Sequence, residues 1–413
     1  MESHAEKNVG SETSTQKVSF LKKIGPAFIT SALIIGPGSV TLSSKIGAVY
    51  GNQLIWVVIV MILFMMIFTE MSARIGLASQ FSFLEILKRK WGKSAAIIIG
   101  IGSCLVTASF QAGNAIGAGI AASAILGLSS TFWIVITTIL SIGLLFAKSF
   151  YKILEKLMLG LVVIMLVSFG LTVIISKPSV SDIVLHLVPS IPSGSMPLVI
   201  ALTATSFSIV GAVYQSYLVQ EKGWGISQAR SGIRDSYLGI FILGLITVMI
   251  MITSAAVLLP KGIQVNSAAE MGQALEPLYG NWAMIVFMLG LFGASLSSLV
   301  GNATIGGAML SDGFGLGRKL ESKAVRGLIC LVMIFGSAVG IIFGGSPINL
   351  IIFAQAITII IVPFIAIAIL FVANDQSIMG KLKNTFWKNV IGIAGLIVLI
   401  LLAINNVINI FFK

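Results

Sequence analysis

Eleven stretches of mostly apolar residues, each about as long as a bilayer is thick, set what this chain can fold into. A spanning helix takes about 20 such residues. The candidates are 25–48 (interrupted), 52–76, 94–126, 130–147, 153–176, 196–220, 236–259, 281–311, 326–344, 346–373 and 387–411. Inside hydrocarbon no water satisfies backbone N–H and C=O groups, so segments of this length are helical. Composition agrees, with 57% hydrophobic and 10% charged residues, where soluble domains carry about a quarter charged. The expected class is an all-α polytopic membrane protein with 11 transmembrane helices. Residues 1–20 are expected to form a disordered cytosolic tail, and 21–413 a single integral membrane domain.

The net charge of +12 would raise nucleic-acid binding in a soluble protein. Here the basic residues fall in the short connections, where the positive-inside rule accounts for them. A cytosolic N-terminus puts 22 of the 26 Lys and Arg inside, leaving only Lys45, Lys177, Lys261 and Lys413 outside. The reading is therefore an integral plasma (inner) membrane protein, N-terminus cytosolic and C-terminus outside, with the lipid bilayer as its surroundings and no nucleic-acid partner. The first 17 residues are polar and lack the apolar core of a signal peptide. Cys104 and Cys330 both lie in apolar stretches, with no disulfide or metal-type spacing.

The first apolar segment is broken by Gly36-Pro37-Gly38-Ser39. Gly costs a helix about 1 kcal/mol relative to Ala and Pro about 3, and Pro removes a backbone donor. Such a break within a membrane is tolerated where it is buried in protein or lines a wet cavity. The plainer alternative is a Pro-kinked helix without a ligand. The sixth segment, Leu202-Thr-Ala-Thr205-Ser206-Phe-Ser208-Ile-Val-Gly211-Ala-Val-Tyr-Gln215-Ser216, is rich in hydroxyls and carries a Gly near its centre. By itself this could reflect Ser and Thr bonding back one turn and bending the helix. Segments one and six correspond if helices 1–5 and 6–10 form two halves of opposite orientation, and paired interruptions are the best sequence pointer to a midplane site. The second half-helices are expected to begin near Val40 and Thr41 and near Ala212 and Val213, where their N-terminal ends favour negative charge.

Between the breaks, polar residues in apolar surroundings are candidates to line a path: Thr107, Gln111, Asn114, Gln215, Ser295, Ser298, Asn302, Asn349 and Gln355. The bland alternative for each is an interhelical hydrogen bond, about 0.6 kcal/mol on average. Gly117, Gly119, Gly301, Gly306 and Gly307 read as sites of close helix packing. No Gly-x-x-x-x-Gly-Lys-Ser/Thr loop is present, and no Ser/His/Asp or Cys/His set could meet at one place. The chain is not expected to be an enzyme or to use a cofactor.

Several motifs together resemble the Nramp (natural-resistance-associated macrophage protein) family of divalent metal transporters. They are Gly25-Pro26-Ala27-Phe28, Gly36-Pro37-Gly38-Ser39, Gly47-Ala-Val-Tyr-Gly51-Asn-Gln53-Leu and Met71-Ser72-Ala73-Arg74-Ile-Gly76-Leu-Ala78, then Leu218-Val219-Gln220, Ala274-Leu275-Glu276-Pro277-Leu278, Leu291-Phe-Gly-Ala-Ser295-Leu-Ser297-Ser298, Gln355-Ala-Ile and Met379-Gly380. The resemblance implies a leucine-transporter-type inverted repeat with alternating access, and uptake of manganese or ferrous iron with protons. The departures fall on the working residues. The family's Asp-Pro-Gly-Asn, whose Asp and Asn are metal ligands, becomes Gly36 and Ser39 here. Its Met-Pro-His falls on Ser208, Ile209 and Val210, and its third-helix acidic pair on Cys104 and Gln111, while Gln355 is retained.

Dehydrating a divalent cation takes compensating charge from carboxylates, or softer His, Cys or Met ligands. All 14 acidic residues can be assigned to the tail, the loops or helix ends, with Glu70 placed to pair with Arg74 four residues on. Neither His lies within a span. The expected substrate-binding set is Gly36, Pro37, Gly38, Ser39, Ser208, Gly211 and Gln355. Gln111, Asn114, Gln215 and Asn302 line the path, and a metal would meet Ser39, Ser208 and Gln355. The expected function is transport of a small inorganic ion, nominally a weakly selected divalent cation such as magnesium, not coupled to protons by the family's route. The alternatives are a neutral, zwitterionic or anionic small solute, or a non-transporting membrane sensor on the same scaffold.

Overall fold

The computed structural model describes residues 35–146, 150–343 and 347–412. The expected tail and the first half of the first span lie outside them. The described residues are helical, without strands: α1 Pro37–Tyr50, α2 Ile55–Ala78, α3 Phe83–Trp91, α4 Lys93–Leu126, α5 Ser130–Leu144, α6 Phe150–Ser176, α7 Val180–Leu185, α8 Met196–Ser206 and α9 Ile209–Glu221. Then come α10 Ala229–Val257, α11 Ala268–Gly272, α12 Glu276–Tyr279, α13 Ala283–Phe314, α14 Lys323–Ile342, α15 Pro347–Thr358, α16 Val362–Asn374, α17 Gln376–Met379 and α18 Phe386–Phe411. Each of the eleven apolar segments carries a helix. Seven of those described are long and apolar enough to cross a membrane, or eight when the bent pair α15–α16 counts as one.

The middle of the molecule is the packing of α4 on α13. At 34 residues, α4 is about 50 Å long. Two helices of this length come close only where side chains are missing. A Cβ on Gly306 would stand 2.1 Å from Thr107 Oγ1, and one on Gly117 2.5 Å from Ser295 Oγ. Gly117 and Gly306 of the sequence pattern are thus contact points. Around this pair the contacts interchange as an inverted repeat requires: α1 packs on α10, and α9 packs on α2.

Local signals set the ends. Ser82, Ser129 and Ser322 accept from the N–H groups of Glu85, Phe132 and Val325 and cap α3, α5 and α14. Gly51, at φ +60°, turns the chain from α1 toward α2. Residues 264–279 carry two short helices, α11 and α12, joined by a 3₁₀ turn over Gln273–Leu275. Ala268, Met271, Ala274 and Leu275 are buried. The tenth segment bends by 41° between α15 and α16, where Pro363 lies in the first turn of the second helix and removes a donor.

Glu70 is fully buried and Arg74 2% exposed. Two bonds join them, Nε to Oε1 at 2.7 Å and Nη2 to Oε2 at 2.8 Å. Lys388 Nζ reaches Glu70 Oε1 at 2.6 Å from α18. Arg74 also donates to Asn384 Oδ1 at 2.6 Å and to the Leu382 carbonyl. This pairing, expected from the i, i+4 spacing, fastens α2 to α18 and takes up the one fully buried carboxylate among the described residues.

Candidate functional site

α1 starts at Pro37, with Gly36 extended in front of it (φ −122°, ψ −178°). Pro suits this first position because its missing N–H has no partner there anyway. Ser298 Oγ donates to the Ile35 carbonyl at 3.3 Å. A Cβ on Gly36 would lie 2.9 Å from Ser298 Oγ, and one on Gly38 2.3 Å from Gln355 Nε2. Both glycines are bare so that α4, α13 and α15 can crowd the break.

The sixth segment breaks at Phe207 (φ −104°, ψ 62°) and Ser208 (φ −74°, ψ 84°). That is earlier than the Gly211 centre read from sequence. Gly211 lies within α9, and the second half-helices begin at Pro37 and Ile209, not near Thr41 and Ala212. The buried Phe207 ring holds the break in place, 5.2 Å from the Phe68 ring and 5.7 Å from Phe64. Ser39 and Thr205 share a buried hydrogen bond of 2.7 Å, which ties one break to the other.

Between the breaks lies a cavity lined by Gly36, Gly38, Ser39, Phe110, Asn114, Thr205, Ser208, Asn302 and Gln355. It leaves about 10 Å³ for the centre of a water-sized species, room for roughly one water. Its polar wall consists of hydroxyls and carboxamides without a formal charge. Gln355 Oε1 is buried without a hydrogen-bond partner among the described residues. Neither α1 nor α9 has a side-chain cap, so N–H groups in the first turn of each are left for whatever enters.

Of the expected residues, Gly36, Gly38, Ser39, Ser208, Asn114, Asn302 and Gln355 meet in this wall. Gln111 stands behind it: its Nε2 donates to the Leu299 carbonyl at 2.6 Å, and its Oε1 accepts from Asn114 Nδ2 at 2.7 Å. Gln215 is fully buried in α9, outside the wall, as is Gly211. Pro37 faces a second cavity of about 200 Å³, shared with Thr41, Gly117, Asn266, Ser267, Met271 and Leu291 among others. Phe110 and Thr205 were not singled out. Phe110 lies four residues from Asn114 on one helix face, and Thr205 stood within the hydroxyl run, so both had a signal. The carboxylate nearest the second cavity is engaged: Glu270 Oε2 accepts from the N–H groups of Asn266 (2.6 Å) and Ser267 (3.1 Å) in a capping box. Among the described residues no group of three or more His, Cys, Asp or Glu could hold a metal.

At the far end of α9, Tyr217 donates to Asp312 Oδ2 at 2.6 Å. Gln220 Nε2 donates to the carbonyls of Ser79 (2.7 Å) and Phe81 (2.9 Å), and Arg318 donates to Gln220 Oε1. This network ties α9 to the end of α2, to α13 and to the loop after α13.

A family model described as natural resistance-associated macrophage protein-like matches residues 27–409. The chain is 27% identical over 394 residues to the divalent metal cation transporter MntH of Klebsiella pneumoniae subsp. pneumoniae, covering 94% of this chain and 93% of that one. With the divalent metal cation transporter MntH of Caldanaerobacter subterraneus subsp. tengcongensis it shares 24% over 391 residues, covering 91% and 90%. Its fold matches the crystal structure of the Eremococcus coleocola manganese transporter in complex with an aromatic bis-isothiourea substituted compound, at TM-score 0.77 and 20% identity, over 94% of this chain and 87% of that one. It also matches MhsT in complex with L-phenylalanine, at TM-score 0.58 and 16% identity, over 91% and 98%. The fold is thus the inverted repeat of leucine-transporter type, the matched structures covering 94% and 91% of this chain.

Proposed function

Because the chain belongs to the natural resistance-associated macrophage protein (Nramp) family, we propose that it is a secondary transporter carrying a divalent metal cation between its two interrupted helices by alternating access. One observation shapes the reading. The cavity between the breaks is walled by neutral groups, Ser39, Ser208, Asn114, Asn302 and Gln355. A divalent ion stripped of water there would hold two uncompensated charges at low dielectric, which is expensive. The ion therefore keeps much of its hydration, as magnesium does when bound through few protein ligands. Ser39, Ser208 and the partnerless Gln355 Oε1 replace only part of the water shell. A wall of this kind gives weak selectivity.

Loading takes movement. Room for about one water does not admit a hydrated ion, so α1, α9 and α15 part when the ion enters, and close on it as it sheds water. The relatives' named cargo, divalent metal cations, supports this choice. The resemblance puts the family's proton-route His on Val210 and its third-helix acidic pair on Cys104 and Gln111, none of them charged at neutral pH, so the proposed cycle moves no proton by that route. The orientation follows from the basic loops: N-terminus cytosolic, C-terminus outside, in the plasma membrane.

A second reading has its own observation. The uncapped starts of α1 and α9 suit an anion or the carboxylate of a zwitterion. Flux into proteoliposomes, measured with manganese, magnesium and calcium outside and a pH-sensitive dye inside, tests both. Magnesium entry with manganese close behind and no acidification is expected. Tight manganese binding with proton influx refutes the uncoupled, weakly selective site. Silence toward every cation transfers the assignment to the organic or anionic solute.

A further inference from the structure

The short helix α3 (Phe83–Trp91) is strongly amphipathic, yet its apolar face is already covered. Phe83, Leu84, Ile86 and Leu87 are buried in the protein core, so the helix does not need a membrane to hide them. Its exposed side ends in Lys88, Arg89, Lys90 and Trp91, and Lys93 follows at the start of α4. Two carboxylates meet three of these four cations. Glu85 is shared by Lys88 (3.1 Å) and Arg89 (3.2 Å), and Asp375 takes Lys90 at 2.7 Å. Lys93 makes no ion pair with any described residue. The Glu85 pairs are exposed and open readily to a stronger anion; Lys90 is held more firmly, by Asp375, 14% exposed, and by Ser377 Oγ at 3.0 Å, and the Arg89 guanidinium lies 3.6 Å over the Phe81 ring.

The corner has an apolar continuation. The Trp91 ring rests on Phe371 with centroids 4.4 Å apart. Phe371 belongs to an exposed stripe on α16 with Ile367 and Phe364, 44, 43 and 63% exposed. Beside it, α4 exposes Ile98, Ile101 and Leu105 at the same helical spacing. Gly102 seats the two helices together, since a Cβ there would lie 3.0 Å from Ile361 Cγ2. With Trp91 on Phe371 at one end and Gly102 against Ile361 further along, α4 and α16 run antiparallel. Helical periodicity then puts both stripes on one side of their contact. Positive-inside bias accounts for basic residues in this loop and the bilayer for apolar stripes on spanning helices; what sets this corner apart is that two such stripes meet directly beneath the cations and an indole.

We propose that this corner binds one anionic phospholipid, its headgroup phosphate held by Arg89, Lys90 and Lys93 and its acyl chain laid along the α4 and α16 stripes below Trp91. The site rests on the reading that this end of the molecule faces the cytosolic leaflet, and it is independent of what the central cavity carries. Basic side chains beside a membrane helix each strengthen such binding about fivefold. The interfacial indole marks the headgroup level.

The test is native mass spectrometry of the purified full chain in detergent, titrated with phosphatidylglycerol or phosphatidylcholine of the same chains. One bound phosphatidylglycerol, retained at least tenfold better than phosphatidylcholine, is expected. Arg89→Gln with Lys93→Gln should weaken it about 25-fold, while Lys319→Gln with Lys323→Gln, the same loss of charge elsewhere, should leave it unchanged. All of these positions are exposed, and matching elution and melting profiles confirm that the variants fold. Equal retention of the two lipids, equal loss in the two double variants, or displacement by millimolar inorganic phosphate each overturns the proposal. Cation flux in the same variants, assayed in phosphatidylcholine vesicles, stays at wild-type level. A change in flux without a change in lipid retention also counts against the site.

Discussion

Gly38→Ala separates the stability of this protein from the working of its central cavity. The residue is the second of α1, with an ordinary helical backbone. Replacing Gly by Ala inside a helix stabilises by about 0.5–1 kcal/mol, and less in a first turn. The added methyl cannot be placed freely: its carbon would start 2.3 Å from Gln355 Nε2 and 3.1 Å from Gln355 Cδ, where carbon contacts are comfortable at about 3.5–4 Å. The Gln355 amide, the mobile end of a long side chain, has to retreat by more than about 1 Å. It carries a buried polar wall atom without a hydrogen-bond partner among the described residues, Gln355 Oε1, in a cavity with space for about one water. Misplacement on that scale costs up to about 100-fold where geometry governs a step. The expected result is a melting temperature equal to or slightly above wild type, with magnesium flux into proteoliposomes lower by about 10- to 100-fold. Wild-type flux from a folded Gly38→Ala protein would refute the assignment of Gln355 to the site. A collapse in melting temperature would show instead that the α1–α15 contact is structural.

Glu70→Gln leaves Arg74 and Lys388 facing a neutral group inside the protein and should cost about 3 kcal/mol, read as loss of thermal stability; a drop under 1 kcal/mol would mean the network is dispensable. Tyr217→Phe deletes the bond to Asp312 while keeping the ring, so a cysteine introduced at Ser216, with Cys104 and Cys330 replaced by Ala, should label about tenfold faster as the α9 end comes loose. Unchanged labelling would exclude this bond as a restraint on opening. Gly36→Asp with Ser39→Asn places a carboxylate and an amide at the first break, at the cost of turning Ser298 Oγ away from Ile35. Isothermal titration should then show manganese binding at least tenfold tighter. No gain would locate the divergence of the site beyond these two positions.

How much of this was legible follows from which physical signals survive in a sequence. Segments such as 52–76 and 94–126 are visible because bilayer thickness sets a length that apolar runs have to meet, and α2 and α4 lie on them. The break at Gly36 is visible because Gly-Pro-Gly excludes a helix locally. The break at Phe207 was misplaced by a few residues because no Gly or Pro stands there. Its backbone angles are open to any residue, and tertiary packing of the Phe207 ring against Phe64 and Phe68 selects them. The bend after Thr358 escaped notice for the opposite reason. Pro363 was in plain view, but a Pro near a helix start looks the same whether the preceding turn is broken or not. Within the site, Asn114, Asn302 and Gln355 declared themselves as amides in apolar surroundings. Gln111 and Gln215 gave the same signal without reaching the cavity, because polarity marks burial among helices and not the direction a side chain takes.

The absence of charge on the cavity wall has an energetic side. A carrier whose site is neutral crosses the membrane uncharged when empty and carries the full charge of its cargo when loaded. In the proposed cation cycle the membrane potential thus acts on the loaded step alone. Each elementary charge gains about 2.3 kcal/mol per 100 mV, so a divalent ion gains about 4.6, a little over three powers of ten in concentration ratio at equilibrium. In the proposed uncoupled cycle the ion's own electrochemical gradient is the sole drive, and net flux through this protein should vanish when a potassium ionophore clamps the potential at zero and the ion concentrations are equal.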